Sequence, residues 1–97
     1  MTIEFLESAY IEYHEAADYY NFQSKNLGKK FILEIDGTLS IIKNYPESFT
    51  KYTKHTRKAV LITFPYNIIY SIQQEKIIVI AVAHQHRKPK YWLKREE

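Results

Sequence analysis

Within nine consecutive residues, His84-Gln85-His86-Arg87-Lys88-Pro89-Lys90-Tyr91-Trp92, the chain gathers two imidazoles, a guanidinium, two ammonium groups, a phenol and an indole. Two kinds of chemistry fit such a set. Histidine titrates near neutrality and can move protons, whereas cations hold phosphate and aromatic rings stack on bases. We take His84, His86, Arg87, Lys88, Lys90 and Trp92 as candidate binding residues, with Lys51, Lys54, His55 and Arg57 extending the same basic patch. A simpler alternative has Tyr91 and Trp92 folding back to plug the end of the core while the lysines stay solvated. Trp92 suits that role, but a rim arginine such as Arg87 has few structural duties. His84 and His86 could form a metal pair, yet no third ligand lies nearby in sequence, so neither a metal nor another cofactor is expected.

A strand must position these groups. Ile77 to Ala83 is seven apolar residues in a row, mostly β-branched, too short to span a membrane and long enough for one strand. With no polar alternation it is covered on both faces and sits centrally in its sheet. The pattern predicts this last strand over 76–84, buried at Val79 and Ala81, with Arg87 exposed beyond it. Strands are also expected over 57–63 and 66–73. Pro65, which lacks a backbone donor, falls in the turn between those two. The middle strand turns Tyr66, Ile68, Tyr70 and Ile72 to one face. Near the N-terminus, Thr2 to Leu6 alternates as a short strand.

Tyr10, Tyr13, Ala16, Ala17 and Tyr20 recur at helical spacing and predict a helix over about 7–24. His14 lies in it as a surface residue. Leu27, Phe31, Ile35, Leu39 and Ile42 give a second helix a clear apolar face, ended by Pro46. Gly37 weakens that helix, and a close helix–helix contact would account for it. Residues 47–56 read as an irregular loop with Phe49 tucked beneath. The order strand-helix-helix-strand-strand-strand predicts an α+β domain, an antiparallel sheet with a helical hairpin packed on one face.

Ninety-seven residues with 45% hydrophobic side chains fit one domain, residues 1–97, with a single core. There is no cysteine, which excludes thiol chemistry and suits a reducing cytoplasm. Neither a signal peptide nor a membrane span is legible. Charge is uneven: residues 1–48 carry four basic and eight acidic side chains, and residues 49–97 ten and three, giving the net +3. The basic half therefore implies an acidic partner, nucleic acid or an acidic protein segment.

At Phe64-Pro65-Tyr66-Asn67-Ile68-Ile69-Tyr70 and again at His84 to Trp92, the chain resembles the RelE/ParE superfamily of bacterial toxins. Ala16-Ala17-Asp18-Tyr19-Tyr20, Leu27-Gly28-Lys29-Lys30-Phe31 and Pro46 resemble it too, so the likeness spans nearly the whole length. The resemblance implies a cytoplasmic, growth-arresting toxin of the plasmid-stabilisation type. Its cognate antitoxin would wrap and neutralise it, and oligomers could form through that complex. ParE-like members poison DNA gyrase, and RelE-like members cleave mRNA on the ribosome.

The nuclease chemistry needs a group to activate the 2′-hydroxyl, a cation for the transition-state phosphate and an acid for the leaving oxygen. Carried over from RelE-like members, Arg87 matches the arginine after the last strand. Tyr91 lies near the tyrosine, and Lys58 falls at one strand lysine. These three are the catalytic candidates if the chain cuts RNA. The other lysine position is Val60, and the strand arginine is replaced by Ile62. Losing that cation removes a contact worth about 3 kcal/mol. The resemblance therefore leans towards gyrase inhibition, with mRNA cleavage as the alternative.

Overall fold

Alternation of Ile3 and Phe5 about Glu4 forms β1 (Thr2–Phe5), and the tyrosine–alanine spacing that follows forms α1 (Glu7–Gln23). Then come α2 (Leu27–Asn44), β2 (Thr50–Lys51), β3 (Arg57–Val60), β4 (Tyr66–Gln73), β5 (Lys76–His84) and a 3-10 turn (Leu93–Glu96). The structure is a computed structural model and describes residues 1–96.

The helices form an antiparallel hairpin. Ala17 lies against Gly28 near the joint, while Tyr13 reaches back to hydrogen-bond Asp36 at 3.3 Å. Phe31, Ile35 and Ile42 are fully buried against the sheet, and Tyr13, Tyr20, Leu27 and Leu39 pack around them. The close approach expected at Gly37 is made instead by Gly28. A Cβ on Gly28 would overlap the Ala17 carbonyl oxygen, and its N–H donates to Asn21 Oδ1 at 2.8 Å. A Cβ on Gly37 would meet nothing within 4 Å. Gly37→Ala should therefore stabilise the protein by about 1 kcal/mol through helix propensity. Gly28→Ala should destabilise it, because backbone cannot yield as a flexible side chain does. Urea denaturation of both variants would test the pair.

The five strands take the order β1-β5-β4-β3-β2. The sheet is mixed, which corrects the expected antiparallel arrangement: β1 runs parallel to β5, pairing Ile3 with Ile77 and Phe5 with Val79. A strand buried on both faces needs a neighbour along each edge. The two helices carry the chain from β1 at one edge to β2 at the other, and the antiparallel run β2-β3-β4-β5 then brings β5 beside β1 in the parallel sense, a direction that hydropathy does not encode. β2 lies within the stretch expected to be loop, pairing Thr50 with Lys58 and Lys51 with Arg57. Two residues are too few to carry a period.

β3 stops at Val60 and does not reach 63. Leu61 N–H closes the hairpin onto the Tyr66 carbonyl, and the next two amides leave the ladder for the Glu34 carboxylate. β4 turns Tyr66, Ile68, Tyr70 and Ile72 to the helix side, as the alternation predicts, and Phe49 packs beneath them.

β5 carries a bulge. Ile69 pairs with Ala81 and Tyr70 with Val79, leaving Ile80 as the extra residue. Ile77, Val79 and Val82 consequently face the helices, while Ile80, Ala81 and Ala83 face the opposite side. There they form a second apolar cluster capped by Trp92, which is 2% exposed. Val79 and Ala81 are fully buried. Hairpin, sheet and C-terminal tail thus make three layers, and the tail is the cover that β5 requires on its second face.

Candidate functional site

The tail starts with a reversal. Beyond His84, Arg87 N–H donates back to the His84 carbonyl at 3.1 Å, and Gln85 N–H donates to the Pro65 carbonyl at 2.8 Å. His84 Nδ1 accepts from the His86 N–H at 3.1 Å, and the two rings lie 5.2 Å apart. His84 also meets the Tyr66 ring edge-on at 5.0 Å.

The centre of the site is a carboxylate that no motif in the sequence singles out. Glu12, only 12% exposed, sits where β1 has ended and the edge of β5 would otherwise be bare. Its Oε1 accepts from Val82 N–H at 3.1 Å, extending the ladder with a side chain. Arg95 grips both carboxylate oxygens, at 2.9 and 3.1 Å, and donates to the Ile80 carbonyl at 3.2 Å. The two side chains together satisfy the strand edge that β1 leaves open.

The same carboxylate accepts from the Tyr91 hydroxyl at 2.5 Å, and Arg87 Nη1 stands 3.6 Å away. Arg87 lies over the Tyr91 ring, 3.8 Å from its centroid, with Arg95 at 5.2 Å. Burial, the hydrogen bond to Glu12 and the charge of Glu12 all push the Tyr91 phenol upward, against the pull of Arg87 and Arg95. Tyr91 therefore keeps its proton at any physiological pH.

On the tail side, Lys58 lies 4.3 Å and Lys90 5.2 Å from the Tyr52 ring centroid. Lys58, His84, Arg87, Lys88, Lys90 and Tyr91 share the lining of one cavity of about 110 Å³. That is below the usual size of a small-molecule site. A shallower cleft of about 260 Å³ opens on the helix side, where Tyr19, Tyr66 and Glu15 meet His84 and Arg87. Among the described residues no three His, Cys, Asp or Glu side chains are grouped to hold a metal ion.

Residues 3–89 match the family model described as the ParE toxin of the type II toxin–antitoxin system parDE. The chain belongs to the ParE toxin family. Its fold is similar to that of a chain from a chromosomal ParDE system of P. aeruginosa, with a TM-score of 0.62 at 11% identity over 87% of this chain and 95% of that one. It is also similar to the isolated RelE toxin of E. coli, with a TM-score of 0.62 at 17% identity over 99% and 98% of the two chains. A search of curated proteins finds no match. Family membership makes the protein a toxin of a type II pair and implies an antitoxin as its partner.

In this toxin the sequence-predicted groups divide. His84, Arg87, Lys88 and Lys90 do gather at the end of β5, with His86 exposed in the turn. Trp92 lines the same cavity, but its indole is 2% exposed and packed in the second cluster, the core-plugging role weighed for it from the sequence. Arg87 is 57% exposed but not free, since it faces Glu12. Lys51, Lys54, His55 and Arg57 do not extend the patch; they line a separate cavity on the helix side of the sheet. Glu12 and Arg95 were missed because they lie 83 residues apart in sequence.

Proposed function

We propose that this toxin inhibits DNA gyrase by binding it, without cutting RNA, and that an antitoxin segment neutralises it in the cytoplasm. The observation that carries this reading is Ile62. The position that holds a cation in the RNA-cleaving pattern is aliphatic and 96% exposed, and its backbone is turned to Glu34. An alkyl group cannot balance the charge that develops on a phosphate. Arg57, the one arginine of that strand, is held at its start by the carbonyls of Glu47 and Phe49, too far along the strand to stand in for a cation at position 62. Tyr91, the remaining candidate acid, already spends its hydroxyl hydrogen bond on Glu12 and keeps its proton tightly.

One observation favours the alternative of mRNA cleavage: Lys58, Arg87 and Tyr91 do line the same cavity. A paired assay separates the readings. Purified toxin should block gyrase supercoiling and leave mRNA on translating ribosomes intact. Arg87→Ala should weaken the block by about tenfold or more while shifting stability by less than about 1 kcal/mol, because its ion pair is long and half-exposed. Codon-dependent cleavage lost in Arg87→Ala, with supercoiling untouched, would make the protein an endoribonuclease.

The antitoxin reading rests on charge: an acidic segment fits the basic C-terminal half. Its association rate should fall as salt rises from dilute to physiological.

A further inference from the structure

We propose that the toxin carries a second anion site, remote from His84 and Arg87, that takes a small phosphate-bearing molecule. The cavity in question, about 510 Å³, falls in the usual size range for small ligands. Lys51, Lys54, His55 and Arg57 line it, against one carboxylate, Glu47. Three permanent cations and one anion leave a formal +2, the complement of a phosphate dianion. It has no lining residue in common with either cavity at the Arg87 end.

Register explains the separation. Arg57 pairs with Tyr70 and Lys58 with Ile69. Neighbours along a strand point to opposite faces. Lys58 thus joins Tyr52 on the tail side, while Arg57 faces the helix side beside Tyr70. The cavity sits where β4 runs out through Ser71, Ile72 and Gln73, the opposite end of that strand from Tyr66, which pairs with His84.

Two features distinguish this place from an ordinary lysine-rich surface. Arg57 is fixed in advance, its Nη1 donating to Glu47 O at 3.1 Å and Phe49 O at 2.8 Å. A guanidinium already immobilised loses little freedom when an anion arrives. The loop carrying the other cations is also closed: Tyr52 and Thr53 N–H both donate to the Thr56 carbonyl, at 2.9 and 3.3 Å. The Thr53 and Thr56 hydroxyls bond each other at 2.6 Å, and Lys54 and His55 project from the tip. Ile72 and the lysine stems supply apolar contact for the organic part of a ligand. Glu47 on the wall disfavours a continuous phosphate backbone, which selects a compact anion over a nucleic-acid strand.

Amide shifts of the nitrogen-15-labelled toxin, titrated with pyrophosphate and separately with adenosine monophosphate, would test this. Saturable shifts are expected at Lys54 to Arg57 and at Ser71 to Gln73. Lys51→Gln with Lys54→Gln, two solvent-exposed changes that spare the fold, should weaken binding by about tenfold or more. Shifts confined to His84–Lys90, or an affinity unchanged in the double variant, would overturn the proposal. So would a short single-stranded RNA whose shifts run from this cavity through to Arg87, since both ends would then be one nucleic-acid track.

Discussion

Trp92→Ala is expected to cost about 4 kcal/mol of folding free energy, the largest loss for any single truncation in the tail. The indole is 2% exposed and closes the second apolar cluster over Ile69, Ile80, Ala81 and Ala83. It also lies against Tyr52, 5.8 Å between centroids. Truncation removes the transfer free energy of a large side chain and leaves a void that rigid strands cannot collapse into. For a domain near 100 residues the midpoint of thermal unfolding should fall by about 20 °C. With total stability of such domains at about 5–15 kcal/mol, the variant would sit near the threshold of folding. Denaturant titration checks it. A loss under about 1 kcal/mol would mean that the tail does not cover β5.

Glu12→Ala should cost about 3 kcal/mol, by a different route. It removes one partner of a nearly buried ion pair and leaves Arg95 uncompensated and Val82 N–H without an acceptor. Glu12→Gln should cost less, since an amide oxygen can still accept from Val82. A second readout separates this from general loosening. Without the carboxylate, two of the causes that raise the Tyr91 phenol disappear, while Arg87 and Arg95 still pull it down. Tyr91 should therefore titrate at lower pH in Glu12→Ala than in the wild type. Ultraviolet titration would show it, and an unchanged profile would refute the contact. Because Trp92 and Glu12 both anchor one tail, the double variant should lose less than the sum of the two.

Periodicity carried most of the fold. The apolar run from Ile77 to Ala83 announced a strand buried on both faces, and the spacing from Leu27 to Ile42 announced a helix with one apolar side. Both follow because burial is imposed locally, residue by residue, at the period of the element. The RelE/ParE resemblance was legible in the same way, from side chains adjacent in sequence. The cluster from His84 to Lys90 was visible because strand end and turn are contiguous.

What tertiary structure alone decided depends on pairs far apart in the chain. The parallel partnership of β1 and β5 is set by the path of the chain between them, across two helices and back through three antiparallel strands, and side-chain patterns are blind to direction. The basic residues of the loop and β3 read as one patch, yet register sends Arg57 and Lys58 to opposite faces. Gly37 looked like the contact glycine, but it is the helix joint that brings backbone to Gly28. Glu12 resembled any exposed helical acid until the open edge of β5 and Arg95 came to it. A carboxylate's role is fixed by the donors that surround it, and those are chosen by the fold.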